Sequence, residues 1–250
     1  FTAVTWNVPQ AVTVTGVNDF VQDGDIAYQV VLAAATSTDP LYSGRNPADV
    51  SVTNTDNDVA GFTVSPAAGL VTTEPGGDAT FTVKLMSQPV ANVVIAVSSS
   101  NTAEGTVSIS SLTFTPANWN VAQTVTVHGI DDAMKDGDIA YTVTLAAATS
   151  SDPNYSGRDP ADVAVLNSDD DTAGITVAPT AGLTTSEAGG TASFTVRLHS
   201  QPLADVVIPV SSSNGAEGTV SVVALTFTSA NWNVAQTVTL TGVDDAVMDG

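Results

Sequence analysis

An exact internal repeat constrains this chain more than any other feature of its sequence. Trp6, Trp119 and Trp232 are each 113 residues apart, and the same spacing separates Arg45 from Arg158. A constant spacing without insertions indicates tandem copies of one unit. Because 113 residues is the size of a domain and far exceeds the unit of a solenoid, each copy is expected to own a hydrophobic core.

Acidic residues that follow strand-like runs give the boundaries of the copies. The sequence predicts the C-terminal half of a first repeat in residues 1–58, a complete central repeat in residues 60–171, and the N-terminal two-thirds of a third repeat in residues 173–250. We interpret the chain as a window of a longer array.

Alternation of apolar and polar residues runs through the central repeat. Phe81, Val83 and Leu85 would share one face of a strand, and residues 93–97 are apolar throughout, which favours a central strand. About seven such runs are bounded by Gly, Pro, Asn, Asp and Ser. The prediction is an all-β chain of tandem immunoglobulin-like antiparallel β-sandwiches, with about seven strands per 113-residue repeat.

The charge of the chain restricts its partners. A net charge of -21, from 26 acidic and 5 basic residues, argues against binding to nucleic acid or to an anionic membrane. The longest apolar stretches are shorter than the roughly 20 residues that a membrane-spanning helix needs. The absence of cysteine excludes disulfides and cysteine-based zinc sites. A divalent cation is therefore the first partner to consider.

Carboxylates concentrate at three places in each repeat. In the central repeat they lie in one inter-strand loop, at the end of the last predicted strand and in the first long connection: Asp131, Asp132, Asp136, Asp138, Asp169, Asp170, Asp171 and Glu74. The related candidates in the two partial repeats are Asp19, Asp23, Asp25, Asp56, Asp58, Glu187, Asp244, Asp245 and Asp249.

In an antiparallel sandwich, the acidic loop and the end of the last strand fall at the same end. Calcium takes about six to eight oxygen ligands, so the sequence predicts a Ca²⁺ site there, at the boundary with the next repeat. The alternative is that Asp, Asn and Gly occur in these turns for backbone reasons alone. Glu104 and Glu217 are weaker candidates and are expected to be solvated turn residues.

Several of these motifs resemble the Calx-beta domain family. They are Glu74 before Gly76 and Gly77, a Leu-Thr-Phe-Thr strand, a Gln-Thr-Val-Thr-Val run leading into Asp131 and Asp132, and the closing residues 169–171. The resemblance implies a calcium-binding immunoglobulin-like sandwich, as in sodium-calcium exchangers, an integrin subunit and very large bacterial surface proteins. The calcium ligands that it implies in the central repeat are Glu74, Asp131, Asp132, Asp136, Asp169, Asp170 and Asp171.

The sequence departs from the family pattern at two places. Residues 136–138 read Asp-Gly-Asp where a Glu usually follows the acidic loop, and Glu104-Gly105-Thr106 replaces the usual Gly-Ser-Asp. These departures leave the number of calcium ions per repeat open. In the first repeat, Asn18 and Asn57 replace aspartates, which predicts a weaker site.

No catalytic constellation recurs with the repeat. His128 and His199 stand at non-equivalent positions, and no nucleophile, base and orienting acid recur as a set. Paired carboxylates could serve a glycosidase, but their repetition between tandem copies favours architecture. We expect a protein that is not an enzyme.

The sequence favours a structural function. The chain is expected to be a calcium-stiffened segment of a long, secreted bacterial adhesin stalk or extracellular filament at the cell surface. Its partners would be neighbouring repeats of the same chain or like subunits in a filament, without nucleic acid and without membrane insertion. The alternative is a ligand-binding module for a surface glycan or protein, through Trp119 or residues 152–158; the commoner role of such a Trp is in a core.

Overall fold

The structure, a computed structural model, describes residues 1–244, and within them it consists of β-strands, turns and loops without a helix. Nothing in this part of the chain forms a helix of the length and apolarity that crossing a membrane demands. The strands in chain order are β1 (Ile26–Val30), β2 (Val50–Asn54), β3 (Phe62–Ser65), β4 (Leu70–Thr73), β5 (Asp78–Leu85), β6 (Val93–Ser99), β7 (Gly105–Val107), β8 (Ser111–Phe114), β9 (Gln123–Gly129), β10 (Ile139–Leu145), β11 (Thr149–Ser150), β12 (Val163–Ser168), β13 (Ile175–Ala178), β14 (Thr191–Leu198), β15 (Val206–Pro209), β16 (Gly218–Val220), β17 (Ala224–Phe227) and β18 (Gln236–Gly242).

Two sheets form the central repeat. One has the antiparallel order β3-β5-β9-β7. In the other, β6 pairs with β8, β10 and the short β11, and the sheet continues through β12 to β4. All pairs are antiparallel except β12 with β4, which run parallel. This architecture confirms the predicted all-β, immunoglobulin-like sandwich.

Alternate side chains of the two sheets fill the space between them. Phe81 of β5 and Val125 of β9, from the first sheet, share one buried cluster with Ile95 of β6 and Val143 of β10, from the second. Burying each such side chain contributes about 1.5–3 kcal/mol. Trp119 is partly buried and packs against this cluster, as expected for a core residue.

Two features of the strand pattern differ from the sequence prediction. The serine- and apolar-rich stretch 107–114 has the composition of a single strand, but it divides into β7 and β8, which belong to different sheets. Apolar residues stand at odd positions up to Ile109 and at even positions from Leu112, so the pair Ser110-Ser111 breaks the alternation where the chain changes sheet. Strand β4 was not predicted because its four residues, Leu70–Thr73, lie between two turns and do not alternate.

The partial repeats have the same strand pairs as the central one. Strand β1 pairs with β2 in the register of β10 with β12, since Ile26 lies opposite Asn54 as Ile139 lies opposite Asn167. The sheet β13-β14-β18-β16 corresponds to β3-β5-β9-β7, and the pair β15-β17 corresponds to β6-β8. A smaller buried cluster lies between these two sheets.

Candidate functional site

Two parallel strands carry acidic residues to one end of the central sandwich. Strands β4 and β12 are in register from Leu70 opposite Val165 to Thr73 opposite Ser168. Glu74 directly follows β4, and residues 169–171 directly follow β12. The backbone N–H of Glu74 donates to the carbonyl of Ser168 at 3.1 Å, which ties the two strand ends together.

The loop between β9 and β10 reaches the same end. Strand β10 is antiparallel to β12 and therefore begins where β12 ends. The backbone N–H of Gly137 donates to Asp169 Oδ2 at 2.6 Å, and the N–H of Asp169 donates to Asp138 Oδ1 at 3.1 Å. These hydrogen bonds fix the loop against the end of β12.

Five carboxylates converge there in two overlapping groups. Glu74 forms one group with Asp131 and Asp170, and a second group with Asp169 and Asp171. Within each group, one oxygen of every carboxylate lies within 4.8 Å of the others, a geometry that can hold a metal ion. In residues 1–244 these are the groups of three or more acidic or histidine side chains that meet this criterion.

Burial and mutual repulsion make the ionised form of two carboxylates in the cluster unfavourable. Glu74 is only 2% exposed, and this burial raises its pKa to about 7, with Asp169, Asp132 and Asp136 contributing in the same direction. Burial, and then Asp170 and Asp169, raise the pKa of Asp171. Asp171 Oδ2 is also buried without a hydrogen-bond partner in the described part of the chain. A cation would compensate these carboxylates.

One lysine already contacts the cluster. Lys135 Nζ donates to Asp169 Oδ2. This contact is the main reason that the pKa of Asp169 is lowered and that of Lys135 is raised. Asp169 is thereby kept ionised beside the buried Glu74.

The other predicted ligands of the central repeat lie outside both groups. Asp132 Oδ1 accepts from the N–H of Met134 at 2.7 Å, and Asp138 Oδ1 accepts from the hydroxyl of Ser168 at 3.2 Å. Asp136 is exposed in the loop. Asp132 and Asp138 therefore shape the loop, and Asp132 and Asp136 add negative charge near Glu74.

The first repeat has the same loop scaffold as the central repeat. Asp56 Oδ2 accepts from the N–H of Gly24 at 2.7 Å, and the N–H of Asp56 donates to Asp25 Oδ1 at 2.9 Å, as at Asp169. Burial and the charges of Asp56, Asp19 and Asp23 raise the pKa of Asp58, so these predicted residues also lie near one another.

The third repeat shows only part of the predicted set. Glu187 and Asp244 are both exposed. Asp245 and Asp249 lie outside the described residues. The central repeat is thus where the structure brings the three predicted acidic patches together.

A buried polar network beneath the cluster was missed. Asn167 Nδ2 donates to Glu104 Oε2 at 3.3 Å and to the carbonyl of Ile130 at 3.1 Å, and its Oδ1 accepts from Thr72 at 2.9 Å. Glu104 is only 8% exposed, so the expectation of a solvated turn residue was wrong for it; Glu217 is exposed. The sequence signal for this network is the repeated asparagine at positions 54 and 167. In the first repeat, Asn54 Nδ2 donates to the carbonyl of Val17, as Asn167 donates to that of Ile130.

The loop of residues 152–158 uses its side chains for packing. Tyr155 is 1% exposed, and its hydroxyl donates to the carbonyl of Ser87 at 2.6 Å. Asp152 is equally buried and accepts from the N–H of Val90 at 2.8 Å. These contacts give the loop of the central repeat a packing role.

Three solved structures illustrate what this chain is similar to. CBD12 from CALX1.2 shares 16% identity over 74% of this chain and 76% of that chain, with a TM-score of 0.36. The apo-form Calx CBD1 domain shares 16% identity over 46% of this chain and 100% of that chain, with a TM-score of 0.36. Domains 4–9 of the surface layer protein SbsC share 18% identity over 81% of this chain and 30% of that chain, with a TM-score of 0.29. No protein-family model and no curated protein sequence matches the chain.

Proposed function

We propose that this chain is a calcium-stiffened segment of a long, secreted tandem-repeat protein, in which each 113-residue repeat is one domain. The array would serve as an adhesin stalk or extracellular filament at a bacterial cell surface. The observation that carries the proposal is the position of the acidic cluster, since it lies where the central repeat passes into the next one. Its partners would be the neighbouring repeats or like subunits.

The chemistry of the cluster favours calcium as the cation. Its ligand groups are carboxylate oxygens, which Ca²⁺ prefers, and no cysteine occurs in the chain. Glu74, Asp131 and Asp170 would hold one ion, and Glu74, Asp169 and Asp171 would hold a second or an alternative position. The unpartnered Asp171 Oδ2 supports this assignment, because a buried carboxylate oxygen needs a donor or a cation.

Binding at this place would stiffen the array. The ligands come from the ends of β4 and β12 and from the β9–β10 loop, so one ion would connect three segments. A ligand at about 100 times its dissociation constant adds roughly 2.7 kcal/mol of stability to the state that binds it.

Thermal unfolding with calcium and with a chelator tests the proposal. We expect a saturable rise of the melting temperature with Ca²⁺ and a much smaller rise with Mg²⁺ at equal ionic strength. An unchanged transition would remove calcium from the proposal. Specific glycan capture by the intact chain would support the ligand-binding alternative.

A further inference from the structure

The first joint connects the acidic loop of the first repeat to the central repeat. The N–H of Gln88 donates to the carbonyl of Phe20 at 2.6 Å. Gln22 makes two more hydrogen bonds across the joint: its Oε1 accepts from the N–H of Ala60, and its carbonyl accepts from Asn154 Nδ2, each at 2.6 Å. The loop is therefore held on the central repeat by hydrogen bonds of its backbone and of the Gln22 side chain.

An aromatic contact adds to the first joint. The ring of Phe20 lies 5.8 Å from that of Trp119, between centroids, at an angle of 43°. Aromatic pairs at such separations contribute about 0.5–1.5 kcal/mol beyond the area that they bury. Trp119 packs against the hydrophobic core of the central repeat, so this contact links the loop to a rigid part of the sandwich.

The second joint repeats the backbone contact of the first. The N–H of Gln201 donates to the carbonyl of Ala133 at 2.6 Å, which is the bond between Gln88 and Phe20 moved by one repeat. A parallel bridge between Met134 and Gln201 accompanies it. The loop thus docks on the following repeat at the same place in both joints.

The side chains at the second joint differ in two ways. Ala133 stands in place of Phe20, and among the described residues no ring contact involves Trp232. Lys135 stands in place of Gln22, but its side chain contacts Asp169 of its own repeat. The charge that attracts Lys135 to the acidic cluster therefore holds it away from the next repeat.

We propose that the acidic loop is a docking element for the following repeat and that its two variable residues set the stiffness of each joint. Phe20 and Gln22 make the first joint firm, whereas Ala133 and Lys135 make the second a hinge. The docking surface fits one partner, the loop of the preceding repeat, and it is formed by Ala60, Gln88, Trp119 and Asn154. This inference rests on the proposed spacer function and adds to it a means of grading flexibility along the array.

Distance distributions between spin labels test the proposal on the whole chain. The chain has no cysteine, so labelled pairs can be placed without other changes. The exposed positions Ala27 and Thr113 report on the first joint, and Ala140 and Thr226 are the matching pair at the second. We expect a narrower distribution at the first joint.

Exchange of the variable residues gives the decisive comparison. Phe20→Ala with Gln22→Lys is expected to broaden the first distribution toward the width measured at the second joint, while the bond from Asn154 to the backbone carbonyl of Gln22 remains. Ala133→Phe with Lys135→Gln is expected to narrow the second. Val17→Ile, which brings in another residue of the second loop without touching the docking contacts, serves as the control.

Each outcome has a distinct meaning. Equal widths in the parent chain, or widths that both exchanges leave unchanged, would overturn the inference about the joints. All measurements are made in calcium and in chelator. A failure of the proposed calcium function would appear as no difference between these two conditions, whatever the exchanges do.

Discussion

Glu74 is a carboxyl group in a place where its ionised form is unfavourable. It is almost fully buried and is surrounded by four further carboxylates from two chain segments. Without a cation, its proton is retained to a pKa of about 7, far above the value of 4.5 for a free side chain. The same residue is the only member shared by both ligand groups of the cluster in the described residues.

Replacing the carboxyl of Glu74 is expected to have two separate effects, one on calcium affinity and one on thermal stability. Glu74→Gln is predicted to lower calcium affinity at least about tenfold, because one shared charged ligand is lost, and that corresponds to about 1.4 kcal/mol. In chelator above about pH 7 it is predicted to raise the melting temperature, since the buried charge of the ionised carboxylate is then absent. Calorimetric titration and thermal unfolding measure the two effects.

The control for this substitution is Glu187→Gln. Glu187 is the equivalent residue of the third repeat, but it is exposed. Neither affinity nor stability should change by a comparable amount. Equal effects of the two substitutions would show that position in the sequence pattern, and not burial, determines the response.

The pKa of Glu74 also predicts a pH dependence of stability. Between about pH 4.5 and 7 the folded chain holds a proton that the unfolded chain has lost. Stability in chelator should therefore fall as pH rises through this window, by on the order of 3 kcal/mol for a shift of this size. Denaturant unfolding at a series of pH values measures it, and Glu74→Gln should remove this part of the slope.

Calcium binding should have the opposite pH dependence to stability in chelator. The ion binds the ionised carboxylate, so binding below pH 7 must displace the proton. Calcium affinity is predicted to rise as pH increases up to about 7 and then to level off. Titration in buffers of different ionisation enthalpy would detect the released proton, and its absence would contradict the shifted pKa.

At the scale of elements, close packing of strand ends holds the ligands together. A Cβ added to Gly129, at the end of β9, would lie 2.3 Å from the carbonyl oxygen of Thr73, at the end of β4. No side chain fits at that distance. The two strands belong to different sheets, so this contact sets how closely the sheets approach at the site.

Enlarging this glycine should therefore disturb both fold and site. Gly129→Ala is predicted to destabilise the central repeat by about 1–3 kcal/mol, the usual cost of overpacking, and to weaken calcium binding. Gly215→Ala is the matched control, because an added Cβ there meets nothing within 4 Å. Denaturant unfolding and calcium titration of both variants measure the difference; similar losses would argue against the packing explanation.

The sequence predicted the elements that alternate and missed those that do not. The long strands β5, β6, β9, β10 and β12 and the central position of β6 follow from alternation, apolar runs and turn residues. The four-residue β4 is specified by its parallel pairing with a strand about 95 residues later, which no local pattern records. For the same reason, Glu74 could be chosen as a ligand by its repeated position, but its burial could not be predicted.

The buried polar network around Asn167 is likewise determined by contacts between distant parts of the chain, which a local sequence pattern does not record. Asn167 is buried because it lies between β4, the end of β9 and Glu104, and its neighbours come from distant parts of the chain. Its recurrence at Asn54 marks a position shared by the repeats, but spacing does not distinguish a buried residue from an exposed one, since Glu187 recurs in the same way and is exposed.

At the scale of the whole molecule, the net charge of -21 acts on every repeat. Self-repulsion among like charges destabilises a compact state, and salt screens it over about 10 Å at 0.1 M. We predict that sodium chloride raises the melting temperature clearly in chelator and much less in calcium. Scanning calorimetry across salt concentrations measures both responses, and an equal response would argue against cation binding at the carboxylates.

The parallel pair of β4 and β12 has a mechanical consequence. When an array is pulled from both ends, tension draws β4 toward the start of the chain and β12 toward its end. Because the two strands run in the same direction, this tension slides one along the other, and their backbone hydrogen bonds carry the load together instead of opening in succession. An ion bound where both strands end would act as a clamp against that sliding, so the force needed to rupture a repeat would follow the calcium concentration around it.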